Sequence, residues 1–191
     1  MNNIKTFENF NNQNIFINIT KNDIQSVKNY IDAGYDLNEQ DNDGNTALIY
    51  TTYLNNIEVV KLLLNSGADL NKQNNNGYTA LIYAAYAKQI EIVKLLLSAG
   101  ADIDKQDIDG NTALIKAAPN NNREIVEILL DYGADEFILN NYNKSFYDYL
   151  NDENKEYFTQ NYPTSVYNAI LHNYKKSFTE FIKDYNIKNN K

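Results

Sequence analysis

Apolar and polar positions alternate along most of this chain in a form that predicts short paired helices. Ile57, Val60, Leu63 and Leu64 stand at i, i+3, i+6 and i+7, the spacing that gathers side chains on one face of an α-helix. Upstream, Thr46 precedes Ala47, Leu48 and Ile49, and its hydroxyl suits the N-cap of a first helix. The polar pair Asn55-Asn56 separates the two stretches and predicts where the first helix stops. Gly67 follows the second stripe, at the position where a left-handed C-cap is wanted. Asp41-Asn42-Asp43-Gly44 carries turn chemistry. Two helices of this length cannot bury their apolar faces alone and need a neighbour of the same kind.

The neighbour is in the sequence. Gly44, Gly77 and Gly110 lie 33 residues apart, and Gly34, Gly67, Gly100 and Gly133 keep the same interval. Thr46, Thr79 and Thr112 do so too, each followed by Ala-Leu-Ile. Residues 38–70, 71–103 and 104–136 are thus three copies of one unit with no insertion or deletion. Residues 15–37 are expected to form an N-terminal capping repeat without its turn. Ile24, Val27, Tyr30 and Ile31 repeat the apolar stripe there, while Lys21, Asn22, Asp23, Gln25 and Lys28 supply a polar outer face. Residues 137–160 read as a degenerate repeat. Asn143, Ser145 and Phe146-Tyr147 take the places of Gly44, Thr46 and Ala47-Leu48, and the second helix shrinks to residues 153–158. Residues 1–14 are Asn-rich and expected to fray. Residues 161–191 predict an amphipathic helix starting near Pro163. Its stripe of Val166, Ile170, Tyr174, Phe178, Phe181 and Tyr185 is expected to cap the open end of the stack; the alternative is a partner-binding or self-associating helix. Lys175, Lys176, Lys183 and Lys188 lie on the same segment.

The unit resembles the ankyrin repeat, which shares its 33-residue period. Gly44, Thr46, Leu48, Val59-Val60, residues 62–64 and Gly67-Ala68-Asp69 carry the likeness, with their counterparts one and two periods on, over about residues 15–150. The resemblance implies an all-α solenoid of stacked helix–turn–helix units with β-hairpin-like turns, here followed by the C-terminal capping helix. It departs at one place: the family's T-P-L-H reads T-A-L-I. The first helix thereby loses its preorganising Pro, and the His hydrogen bonds are replaced by apolar contact at Ile49, Ile82 and Ile115.

Composition narrows the function. The net charge is −8 and the pI about 4.6, so a phosphate backbone or an anionic membrane is repelled. There is no Cys, which excludes disulfides, zinc–thiolate sites and thiol nucleophiles and suits a reducing compartment. The first residues show no apolar core of a signal peptide, and no apolar run approaches the roughly 20 residues of a membrane span. A cytoplasmic monomer is expected. Abundant Asn, Ile, Lys and Tyr match AT-rich codons, so composition by itself accounts for many of the tyrosines. The single His172 has no nucleophile beside it, and no P-loop, G-x-S-x-G, H-E-x-x-H or G-x-G-x-x-G occurs. Glu39-x-Asp41-x-Asp43-Gly44 mimics the start of a calcium loop, but Tyr50 stands where the bidentate Glu is needed. No cofactor, no metal and no catalysis are expected; the alternative, an enzymatic site within residues 137–191, lacks a nucleophile–base pair and enough chain for its own fold. Asp69-Leu70-Asn71, with Leu63 upstream, also resembles the site of asparaginyl hydroxylation in ankyrin repeats, though the turn itself calls for these residues.

The resemblance implies that another protein binds at the turn tips and the concave side of the first helices. The tip positions are Asn42, Asp43 and Asn45, then Asn75, Asn76 and Tyr78, then Ile108, Asp109 and Asn111. The helix-end positions are Tyr53 and Leu54, Tyr86 and Ala87, Pro119 and Asn120, with Tyr50, Tyr83 and Lys116 just inside. Among them, Tyr50 and Tyr53 share a helix face, as do Tyr83 and Tyr86, and stacking sets the pairs side by side at about 10 Å. Four exposed tyrosines are an interface signature, because Tyr offers large area and a polar tip at low entropic cost.

Overall fold

A computed structural model describes residues 14–120 and 122–162, without the side chain of Asn120. Of the expected frayed residues 1–14 only Asn14 is described, and it does not fray: its side chain accepts from the Phe16 and Ile17 amides as a helix cap; the C-terminal helix from Pro163, with His172, lies outside the described residues. The described chain is all-α. Its helices are α1 (Ile15–Thr20), α2 (Ile24–Asp32), α3 (Ala47–Tyr53), α4 (Ile57–Asn65), α5 (Ala80–Tyr86), α6 (Ile90–Ser98), α7 (Ala113–Ala117), α8 (Arg123–Asp131) and α9 (Asp152–Asn161). Short 3-10 turns at Ala118–Asn120 and Phe146–Tyr149 complete the third and last units.

Local chemistry sets each boundary. The Thr46, Thr79 and Thr112 hydroxyls accept from the amides of Ile49, Ile82 and Ile115 at 3.3, 3.2 and 3.3 Å, satisfying a donor that the first turn leaves open. Asn22, Asn55 and Lys88 take φ of 54°, 53° and 64° between paired helices; Asn tolerates this left-handed region better than most residues, and Lys88 adopts it in the same place. The second helices close on Gly67, Gly100 and Gly133. One residue further, the amides of Ala68, Ala101 and Ala134 reach back to Leu63, Leu96 and Leu129 carbonyls at 3.1, 3.0 and 2.9 Å, the long bond of a Schellman ending. Pro119 cannot continue α7, which stops after five residues.

Stacking then buries what one unit leaves open. Leu63, Leu96 and Leu129 are completely buried in one cluster with Val60, Val93 and Val126, and each such side chain contributes about 2 kcal/mol. Ile49, Ile82 and Ile115 are buried as well, so apolar packing does fill the place of the missing His. The first helices α3, α5 and α7 pack on one another more closely than α4, α6 and α8 do. Small residues at Ala47, Ala80, Ala84, Ala113 and Ala117 permit that approach. The first helices thus form the tighter of the two rows.

Polar ladders hold the units and their junctions together. Gln40 donates through Nε2 to the carbonyls of Gly44 and Gln73, Gln73 to Gly77 and Gln106, and Gln106 to Gly110 and Leu139. Within each unit, the amides of Asp69, Asp102 and Asp135 near its end donate to the side chains of Asn38, Asn71 and Asp104 at its start, at 2.8, 2.8 and 2.9 Å. Asn71 therefore ties the start of its own unit to its end. At the tips, the amides of Asn75, Ile108 and Asn141 bond to carbonyls of Asp43, Asn76 and Asp109. On the outer surface Lys61–Glu91, Lys94–Glu124 and Arg123–Glu153 pair across units; exposed pairs of this kind are worth about 0–1 kcal/mol each.

The last unit departs from expectation. Its first helix is only the 3-10 turn, held by the Ser145 amide and hydroxyl on the Asp148 carboxylate at 2.8 and 2.9 Å. Its second helix, α9, has ten residues instead of the short remnant expected over 153–158. Asn151 caps it, and Phe158 is fully buried, so one aromatic anchor replaces the usual aliphatic stripe.

Two glycines separate conformational strain from collision. Gly67 has φ +81°, and a Cβ there meets nothing within 4 Å. Gly77 has φ +75°, and a Cβ would stand 2.6 Å from the Ile108 nitrogen of the next unit. Gly67→Ala should cost about 1–2 kcal/mol, the left-handed penalty alone, and Gly77→Ala clearly more. Urea unfolding of the two variants checks this; equal losses would contradict the close inter-unit approach.

Candidate functional site

The side of the first helices carries a continuous ladder of aromatic rings. Helix α3 supplies Tyr50 and Tyr53 and helix α5 supplies Tyr83 and Tyr86, each pair one turn apart. Ring centroids lie 6.4 Å apart for Tyr50–Tyr53, 5.6 Å for Tyr53–Tyr83 and 6.5 Å for Tyr83–Tyr86. The pairs expected about 10 Å apart thus meet directly, because the Tyr53 and Tyr83 rings lean across the gap between helices. Tyr53 and Tyr86 are 61% and 48% exposed, whereas Tyr50 and Tyr83 are half-buried and form the floor.

The ladder extends at both ends. Phe16 of α1 stands edge-on to Tyr50 at 5.7 Å, and the Thr20 and Tyr50 hydroxyls are 3.0 Å apart. Neither residue figures among the sequence-derived positions, although Phe16 shares the register of Ile49 and Thr20 that of Tyr53. At the other end, Tyr78 packs 6.5 Å from Tyr83. Between tips and helices runs a groove of about 600 Å³, lined by Asp43, Asn45, Ile49, Tyr50, Tyr53, Asn74, Asn75, Asn76, Tyr78 and Tyr83.

The tip positions do not all face outward. Asn42, Asp43, Asn75 and Asn76 are exposed, and Ile108 is 64% exposed. Asp109 is half-buried, its amide bonded to the Asp107 carboxylate at 3.0 Å. Asn45 and Asn111 fold inward: each bonds to the Asp opening its own turn, Asp41 or Asp107. They then accept from Asn74 and Asn140 of the next unit at 2.9 and 2.7 Å. These two belong to the frame. Asp41 is likewise spent on the turn, accepting from the Asp43 and Asn45 amides. Among the described residues no group of three or more His or acidic side chains is placed to hold a metal ion.

Lys116 also differs from expectation. It occupies the register of Tyr50 and Tyr83, yet its ammonium pairs with the buried Asp107 carboxylate at 2.8 Å and sits 5.0 Å from the Tyr78 ring centre. Its side chain is only 18% exposed. The charge is used inside the protein, to neutralise a carboxylate that burial would otherwise leave uncompensated.

Burial, and then the neighbouring Tyr53, Tyr86 and Tyr78 oxygens, hold the Tyr83 phenol above its ordinary 10.0. Burial pulls the Lys116 ammonium down, but its bonds to Asp107 and Tyr78 outweigh this and leave it above 10.5. Both groups bind their protons more tightly when folded. Their contribution is complete below those ordinary values and is lost as pH rises through the folded ones. The urea midpoint should fall as pH climbs past 10.0, and Tyr83→Phe should flatten that fall. A slope unchanged by the substitution would contradict the assignment. Lys116→Met should destabilise the chain by about 2 kcal/mol at neutral pH, read in the same assay.

A family model of ankyrin repeats (3 copies) matches residues 15–107, and a second, of ankyrin repeats (many copies), matches residues 96–150. The chain belongs to the ankyrin repeat family. Ankyrin repeats generally mediate protein–protein interaction. No curated protein matches the sequence. No helix among the described residues is long and apolar enough to cross a membrane.

Proposed function

We propose that this chain is a protein-binding module, an adaptor, inhibitor or effector, that grips its partner between the turn tips and the concave face of the first helices. The observation carrying this reading is the unbroken ladder Tyr50–Tyr53–Tyr83–Tyr86 beside an open groove. Aromatic rings held by packing offer area without a large loss of rotamer freedom on binding. The floor residues Tyr50 and Tyr83 are fixed by the core below them, and Tyr53 and Tyr86 present the contact edge. Asn42, Asp43, Asn75 and Asn76 form the polar rim, with Asp109 behind them, while Tyr78 and Lys116 brace one end. The net charge of −8 disfavours nucleic acid and anionic lipid. The lack of Cys fits a reducing compartment such as the cytoplasm. The module acts as a monomer without enzymatic activity.

The Tyr53→Ala/Tyr86→Ala double variant tests the reading. Both side chains are exposed, so the urea midpoint should barely move. Affinity for a partner isolated from native cytosol should fall by about 2–4 kcal/mol, the range of interface hot spots, in a calorimetric titration. Unchanged affinity would remove the tyrosine face from consideration. Mass from light scattering should stay that of one chain as concentration rises.

A further inference from the structure

We infer that the tyrosine groove receives an arginine side chain from an extended segment of the partner. The inference rests on the reading of this face as a protein-binding surface and specifies what it recognises. The groove wall holds four tyrosine rings and the Asp43 carboxylate, and none of its lining residues is basic. Among the described residues no hydrogen bond or ion pair engages that carboxylate. An electron-rich aromatic wall beside an uncompensated negative charge favours a cation.

The protein already demonstrates this chemistry one unit further on. Lys116 stands where the first two full units carry Tyr50 and Tyr83, and it lies over the Tyr78 ring while pairing with Asp107. A cation seated between a tyrosine face and an aspartate is thus the arrangement built into one end of the ladder. At the groove the same two kinds of group, the rings of Tyr53 and Tyr83 and the carboxylate of Asp43, stand together without the cation. The Tyr53 ring, inclined at 54° to that of Tyr83 with centroids 5.6 Å apart, is 61% exposed and offers ring surface on which a flat group can rest. A guanidinium suits it better than an ammonium, because it is planar, weakly hydrated and able to stack and pair at once. The acidic character of the whole chain, −8, steers such a guest toward the face.

The test uses the full chain and two blocked peptides, acetyl-Gly-Gly-Arg-Gly-Gly-amide and the same peptide with neutral citrulline in place of Arg. Ring resonances of Tyr53 and Tyr83 are followed by NMR during titration to several millimolar. The arginine peptide should move them, and the citrulline peptide should bind several-fold more weakly. Asp43→Asn should weaken the arginine peptide by up to about fivefold, the scale of one exposed ion pair. The same variant should leave the citrulline peptide and the thermal midpoint unchanged. Equal affinity for the two peptides, no ring shifts with arginine, or indifference to Asp43→Asn would each overturn the inference. If the Tyr53→Ala/Tyr86→Ala variant loses its partner while the arginine peptide leaves the rings unmoved, the face remains a protein-binding surface and only the arginine assignment falls. If the arginine peptide binds as expected while partner affinity ignores the tyrosines, the cation site stands and the reading of the face as the partner's main contact falls.

Discussion

Everything in this molecule depends on one unit covering the greasy side of the next. A pair of helices seven and nine residues long has too few internal contacts to hold its shape. Once Leu63, Leu96 and Leu129 share a single buried row, that weakness disappears and the 33-residue interval becomes a fixed translation in space. Any residue type repeated at that interval then becomes a ladder. This is how two Tyr on α3 and two on α5 become one aromatic surface, although no ring in one pair is near the other along the chain.

The same translation explains the polar arrangement. Buried backbone groups at the turns must find partners, and the next unit presents its own at a constant offset. Gln40, Gln73 and Gln106 exploit this by donating both within and across units. Asn45 and Asn111 exploit it by accepting, through their side-chain oxygens, from Asn74 and Asn140 of the next unit. These bonds tie each turn to the next along the side of the groove. Where the family has His, Ile49, Ile82 and Ile115 are buried in apolar packing instead.

Much of this was legible in the sequence, for a physical reason: periodicity is a statement about neighbours. The repeated Gly, Thr and Leu positions revealed the helices, their ends and the buried row, since each of those residues acts through its own local backbone or a constant offset. The tyrosine pairs were legible by the same logic. What escaped depended on side-chain direction. Asn45, Asn111 and Lys116 stand in registers associated with contact, but each has an Asp within reach of its own unit, and pairing turned them inward. Asp107 beside Lys116 in the third unit, where the second unit has the neutral Asn74 beside Tyr83, was the available signal. The role of Gln40, Gln73 and Gln106 was visible as identity at the repeat interval, yet nothing in one sequence says whether a repeated polar residue faces water or backbone. The last unit escaped for a different reason: Phe158 replaces several aliphatic side chains, and a single large anchor leaves no period to read.

The account's central claim is that the stack forces tyrosines of successive units into contact. Nuclear Overhauser effects between assigned ring protons of Tyr53 and Tyr83 in the full chain measure that contact directly. The account predicts strong cross-peaks between these two rings, with weaker ones for Tyr50–Tyr53 and Tyr83–Tyr86, in keeping with centroid separations of 5.6, 6.4 and 6.5 Å. Cross-peaks confined within each helix, with none bridging Tyr53 to Tyr83, would contradict it.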